Sequence, residues 1–218
     1  MKSELLGRLA VKEILRVLSG SRLYGLALPG SDRDEVAITI PTMEDLLSVE
    51  YSPKSVSQKI ALGIDLKSMD FSSFALGAYK GNCHYVSHLW SDVLSCSDEG
   101  RVLLKNRNLF ISKRILVVSG EMLRKAACGI RTKSPGRWAT DAYHLLIGAI
   151  LGMGICNGDL SFPLSERLLH IEEYSALVDE LTLSLSSINP DIPDEVDMSL
   201  VNRLYFNLVM GNEDPSNA

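Results

Sequence analysis

Gly20-Ser-Arg-Leu-Tyr-Gly-Leu-Ala-Leu-Pro-Gly-Ser-Asp-Arg-Asp-Glu-Val-Ala-Ile-Thr-Ile40 is the stretch whose reading decides the fold. Upstream, Ile14-Leu15-Arg16-Val17-Leu18 is a short, mostly apolar strand that stops at Ser19-Gly20-Ser21. The chain must then turn into a short helix through Leu23–Leu26, and Pro29-Gly30 makes a second turn. Asp32 and Asp34 follow with one residue between them, leading into the β-branched run Val36–Ile40. Residues i and i+2 of a strand share a face. If the strand includes Asp34, both carboxylates project from one side. Two bare carboxylates that close repel each other, and the pair makes physical sense with a cation between them. Hard oxygen donors suit Mg²⁺ or Mn²⁺. A Gly-Ser turn at a helix start presents N–H groups and a hydroxyl to a phosphate.

Working outward, the 218 residues suffice for one large or two small domains. Cys83, Cys96, Cys128 and Cys156 lie far apart with no Cys-x-x-Cys, which argues against a zinc site or disulfide framework. The N-terminus carries charges where a signal peptide needs an apolar core. The longest apolar run, Leu145–Cys156, is too short for a bilayer and reads as a core helix. A cytoplasmic, non-membrane protein is expected. The net charge of −5 conceals a segregation: residues 101–137 carry 10 basic and one acidic side chain, residues 138–218 carry 2 basic and 13 acidic. Such a basic strip is either a solvated helix face or a surface for phosphates. It also allows a homo-oligomer, with one molecule's basic strip against another's acidic half.

Periodicity predicts a helix over residues 3–12, a short one from Met43 to Val49 capped by Thr42, and a loop or hairpin edge over 51–61. A strand is expected from Ile64 to Met69, and Asp70 caps a helix to Lys80. Further helices are expected at 100–106, 110–127, 140–153, 165–169, 173–186 and 197–211. Gly129–Gly136 reads as a basic loop, Ser187–Pro193 as a loop, and Asn212–Ala218 as a frayed tail.

The signature resembles that of the nucleotidyltransferases of the DNA polymerase beta superfamily: Gly-Ser, a spacer of about ten residues, then Asp-x-Asp on a strand. More narrowly, Gly20, Ser21, Tyr24, Gly25, Leu26, Pro29, Ser31, Asp32 and Asp34 match a subfamily of small predicted nucleotidyltransferases of bacteria and phages. Its next block, an acidic residue on a strand and a helix ending in Lys-Gly-Asn, is matched by Asp65 and by Lys80-Gly81-Asn82, followed by His88-Leu89-Trp90-Ser91. Asn157-Gly158-Asp159-Leu160 and Pro163 resemble a later turn of that subfamily. The likeness is sharp at 20–34, fair at 64–91, and ordered but weak after 137.

The resemblance implies an α+β nucleotidyltransferase fold: a mixed β-sheet with helices packed on it, then a helical C-terminal half. It implies a catalytic domain over 1–100, a helical domain over 101–212 and a tail over 213–218. Asp32, Asp34 and Asp65 would hold two Mg²⁺ or Mn²⁺ ions, and Asp65 would accept a proton from the attacking hydroxyl. Gly20 and Ser21 would cradle the nucleoside triphosphate's tail. Arg131, Lys133, Arg137 and His144 are the nucleotide-binding candidates beyond the signature, with Lys67 and Lys80 behind them. The expected reaction transfers a nucleoside monophosphate to a hydroxyl on a nucleic-acid end, a protein or a small molecule.

Departures bear on that expectation. Arg33 and Glu35 stand where the family has apolar residues. They must face away from the cleft and pair there, unless the strand starts later. The subfamily's Lys-His-x-x-His and following Arg are here Thr140, Asp141, His144 and Ile147. These changes leave open a second reading, a scaffold that binds a nucleotide, nucleic acid or protein without turnover.

Overall fold

The computed structural model describes residues 11–49, 55–61, 63–132, 135–164, 174–188 and 191–211, with side chains undescribed at 55–61, 129–143 and 174–176. The first strand, β1 (Lys12–Ser19), buries Ile14, Leu15 and Val17. A single helical turn, α1 (Gly20–Leu23), leads toward β2 (Arg33–Ile40), which pairs antiparallel with β1. Every residue of β2 from Glu35 onward is buried. That pattern belongs to a central strand covered on both faces.

The sheet has five strands in the order β3-β4-β2-β1-β5. β4 (Ile64–Asp70) runs parallel to β2, while β3 (Ser55–Ala61) and β5 (Val93–Cys96) pair antiparallel at the two edges. A parallel pair needs a crossover, and here it passes through α2 (Met43–Leu47) and β3. Thr42 and Asp45 form the reciprocal cap of α2. Arg33 and Glu35 do pair on the reverse face, with Arg33 Nε 2.8 Å from Glu35 Oε1. Arg16 of β1 joins them, 3.3 Å from Glu35 Oε2, so the buried carboxylate has two cationic partners.

Asp70 accepts a hydrogen bond from Ser72 N–H at 2.8 Å and starts α3 (Phe71–Tyr79). α4 (Cys83–Ser87) follows, continued by a 3₁₀ turn at His88–Trp90. The helical remainder comprises α5 (Asp98–Lys105), α6 (Lys113–Thr132), α7 (Pro135–Asn157), α8 (Tyr174–Ser186) and α9 (Met198–Met210). α7 packs along α6 and against α4, and one apolar core runs from Ile14 of β1 to Leu208 of α9. The fold is therefore α+β, as expected. Among the described residues no helix is long and apolar enough to cross a membrane.

Three expectations need correction. The basic loop over 129–136 is mostly helix: α6 continues to Thr132 and α7 already begins at Pro135. Proline is accommodated there because the first turn of a helix has no use for its missing N–H. Strand β5 was not foreseen, since Val93-Leu94-Ser95-Cys96 is a short and largely exposed edge. The short helix expected through Leu23–Leu26 lies earlier, over Gly20–Leu23, with Ser19 at its N-cap position. Of the helix expected over 3–12, the first residues lie outside the described chain, and Lys12 is already strand. The helix at 165–169 and the tail also lie outside it.

One buried group makes stability depend on pH. His88 is 6% exposed, and its Nδ1 makes no hydrogen bond among the described residues. Burial, then the neighbouring His84 and Lys67 charges, push its imidazole down to about 3. An unfolded histidine titrates near ~6.5, so as pH falls the unfolded chain takes up the proton first. The resulting stability is complete above about pH 6.5 and is lost down to about pH 3, at up to about 1.4 kcal/mol per pH unit. Urea unfolding between pH 7 and pH 4 should therefore show a flatter stability profile for His88→Gln than for the parent chain. Equal slopes would contradict this assignment.

Candidate active site

Strand register brings the acidic residues together. Asp34 pairs with Asp65 across the parallel β2–β4 ladder and with Ser19 across the antiparallel β1–β2 ladder. Adjacent strands lie about 4.8 Å apart, and paired residues point to one face. Two segments distant in sequence thus set their carboxylates side by side. Asp32 lies just before β2, and the loop carrying it is pinned on both sides. Arg33 N–H donates to Gly63 carbonyl at 2.7 Å. The Arg22 guanidinium donates to the Ser31 carbonyl at 2.6 Å and the Asp32 carbonyl at 3.3 Å.

The electrostatics follow the geometry. The Asp34 carboxyl is raised above its ordinary value by burial, then by the charges of Asp65 and Asp32. The three acids therefore feel one another, and the site is poised for positive charge. Gly20 explains how Asp34 fits. Its φ of +65° is one that side chains rarely adopt, and a Cβ there would overlap the Asp34 carboxylate. The first residue of the Gly-Ser pair is thus both a turn and a clearance for the acid beside it.

Three carboxylates offer a hard, all-oxygen donor set suited to Mg²⁺ or Mn²⁺. Among the described residues no three His, Cys, Asp or Glu side chains stand close enough together to clasp an ion as they are. The donor chemistry and the strand register fit such cations, and binding one requires the side chains to draw closer together.

The other candidates divide. Ser21 is the second residue of α1 and half-buried beside this edge. His144 is exposed on α7, and its charge reaches His84 of α4. Arg131 is on the last turn of α6 and Arg137 on the first turns of α7, but their side chains are undescribed; Lys133 lies outside the described residues. Lys67 sits over the Tyr85 ring, 4.9 Å from its centroid, whereas Lys80 is exposed at the end of α3. Ile147, standing where the subfamily has Arg, is buried in the core. Tyr24 of the signature is structural: its ring packs 6.1 Å from Phe162, and its carbonyl accepts Leu164 N–H at 3.1 Å.

Sequence reasoning missed Arg22, whose grip on two carbonyls orders the Asp32 loop; its place inside the signature was the only available signal. It also missed Lys59, which β3–β4 register sets opposite Asp65. The basic strip is partly spent on structure. Arg107 stacks 4.7 Å from the Trp90 centroid, and Lys113 pairs with Asp194 at 2.8 Å.

A mixed sheet with Asp34 and Asp65 in register beside a Gly-Ser turn defines a DNA polymerase beta-type nucleotidyltransferase. Residues 4–146 match the model of the RNA repair pathway DNA polymerase beta family, and the chain belongs to that family. A solved nucleotidyltransferase-like protein from Exiguobacterium sibiricum is similar at 14% identity and a TM-score of 0.30, over 92% of this chain and 69% of that one. No curated protein matches.

Crowded acids have a cost that substitution should reveal. Asp34→Asn should raise the melting temperature of the cation-free protein by a few degrees, since it removes a repelled, part-buried charge. The same variant should lose most of the rise that Mn²⁺ gives the parent chain. Differential scanning calorimetry with EDTA and with Mn²⁺ measures both. A variant less stable in EDTA and equally responsive to Mn²⁺ would contradict the reading.

Proposed function

We propose that the chain transfers a nucleoside monophosphate from an NTP or dNTP to a hydroxyl acceptor and releases pyrophosphate. The observation that carries this is the pairing of Asp34 with Asp65 beside the Gly20 turn. Asp32, Asp34 and Asp65 would hold Mg²⁺ or Mn²⁺, which when bound neutralises charge on the attacking and leaving oxygens.

The remaining roles fall to the chain itself. The turn at Gly20 and Ser21 would donate hydrogen bonds to the β- and γ-phosphates. Asp65, one strand further from that turn, would take the proton of the acceptor hydroxyl as its oxygen bonds to the α-phosphorus. The bond from that phosphorus to the bridging oxygen breaks, and pyrophosphate leaves. Arg22 acts indirectly by fixing the backbone at Ser31 and Asp32. We assign the chemistry to residues 1–100, with the helical part from 101 to 212 supplying further substrate contacts through Arg131, Lys133, Arg137 and His144. The family's name supports an RNA end as the acceptor.

The test mixes the protein with Mg²⁺ or Mn²⁺, labelled NTPs and dNTPs, and short RNAs ending in a 3′-hydroxyl. Pyrophosphate release and a lengthened RNA are expected. Asp34→Asn and Asp65→Asn should each lower the rate by about 100-fold or more. Cation-dependent nucleotide binding without product would point to the non-catalytic scaffold instead.

A further inference from the structure

Two cations of the basic strip are committed to carboxylates: Arg101 pairs with Asp98, and Lys113 pairs with Asp194. Arg107 differs, because both of its described partners are neutral. Its guanidinium carbon lies 4.7 Å from the centroid of the Trp90 ring, and Nη1 donates to the Leu89 carbonyl at 3.4 Å. A guanidinium is a planar fork of N–H donors. Resting on an aromatic face fixes that plane, while the edge keeps donors for an oxyanion. Arg107 is half-buried, which leaves part of it open to solvent.

Strand pairing carries Trp90 to the end of the sheet where the acids stand. Val17 of β1 pairs with Val93 of the antiparallel β5. One step nearer the turn, Leu18 N–H donates to the Asp92 carbonyl at 2.9 Å. In an antiparallel arrangement each residue forward on one chain meets a residue further back on the other. Two steps beyond Leu18 and Asp92 come Gly20 and Trp90. Both chains have left the ladder by then, one into α1 and the other into the 3₁₀ turn His88–Trp90, which still packs against β1. Trp90 therefore stands beside the Gly20–Ser21 turn, one strand out from β1.

The order across that end follows. Asp65 is on β4, Asp34 on β2, the Gly20–Ser21 turn at the end of β1, and Trp90 with Arg107 on the β5 side. Neighbouring strands are about 4.8 Å apart. A triphosphate with its α-phosphorus at the acids and its tail across the turn points its last phosphate toward β5. A guanidinium held flat at that place suits bidentate contact with phosphate oxygens.

We infer that Arg107, held on Trp90, binds the terminal phosphate of the nucleoside triphosphate. This deepens the transferase reading and rests on it for the direction of the tail.

The test uses the full chain with Mn²⁺ and follows inorganic tripolyphosphate, ATP and AMP by calorimetry. A fluorescent RNA ending in a 3′-hydroxyl is followed by anisotropy. Arg107→Met, which keeps apolar cover over the indole, should weaken tripolyphosphate and ATP about tenfold. AMP and RNA should stay within about twofold of the parent. Parent protein that binds no tripolyphosphate, or a variant that binds it as well as the parent, overturns the proposal. A loss confined to RNA overturns it and assigns Arg107 to the acceptor. A folded variant that weakens every probe alike also overturns it, since a merely structural role does that. Should Arg107→Met fail to fold, a Trp138→Phe chain decides, because Trp90 is then its one tryptophan. Tripolyphosphate should change the Trp90 emission there, and unchanged emission overturns the proposal. Tripolyphosphate and ATP binding that fall in Arg107→Met, while the parent transfers no nucleotide, support the phosphate site and sink the transferase reading alone. Transfer by the parent, with ATP held equally well by Arg107→Met, does the reverse.

Discussion

Repulsion between like charges is the constraint around which this molecule is built. Asp34 and Asp65 stand paired across two parallel strands, with Asp32 close enough to add to the burden on Asp34. A folded chain keeps such an arrangement only if the surrounding structure over-determines it. Here a buried central strand, a fixed parallel register and a glycine that clears space for the acid together do so. The reverse face carries the counterpart: Glu35, nearly buried, is held between Arg33 and Arg16. The charged residues adjacent in sequence to the acids are thereby paired with one another on that face.

The loop ahead of β2 solves a second problem. Asp32 precedes the strand and has no ladder to hold it. Arg22, the third residue of α1, reaches across to two carbonyls of that loop. Tyr24, from the same turn, is tied to the segment around Phe162 and Leu164. The signature is therefore one mechanical unit. Its glycine, arginine and tyrosine set the position of the acids.

Much of this was legible in the residues, for identifiable reasons. The β-branched run after Asp34 announces a strand, and the strand is there from Arg33 to Ile40. Thr42 and Asp70 mark helix starts by chemistry that is local in sequence, and both stand at such starts. What was not legible depends on contacts between distant segments. The pairing of Asp34 with Asp65 is a matter of register, and a slip of one residue would have turned Asp65 to the other face. Pro135-Gly136 among basic residues read as a loop because proline marks the start of a helix as readily as a break. How α4 meets α7 is likewise a long-range packing that periodicity does not encode.

The account stands on three carboxylates sharing divalent cations. The most direct measurement is anomalous diffraction from crystals grown with Mn²⁺ and a non-hydrolysable nucleoside triphosphate. The account predicts manganese peaks bounded by Asp32, Asp34 and Asp65, with the triphosphate tail over Gly20 and Ser21. Manganese held without Asp65, or a nucleotide bound away from the Gly20 turn, would contradict it.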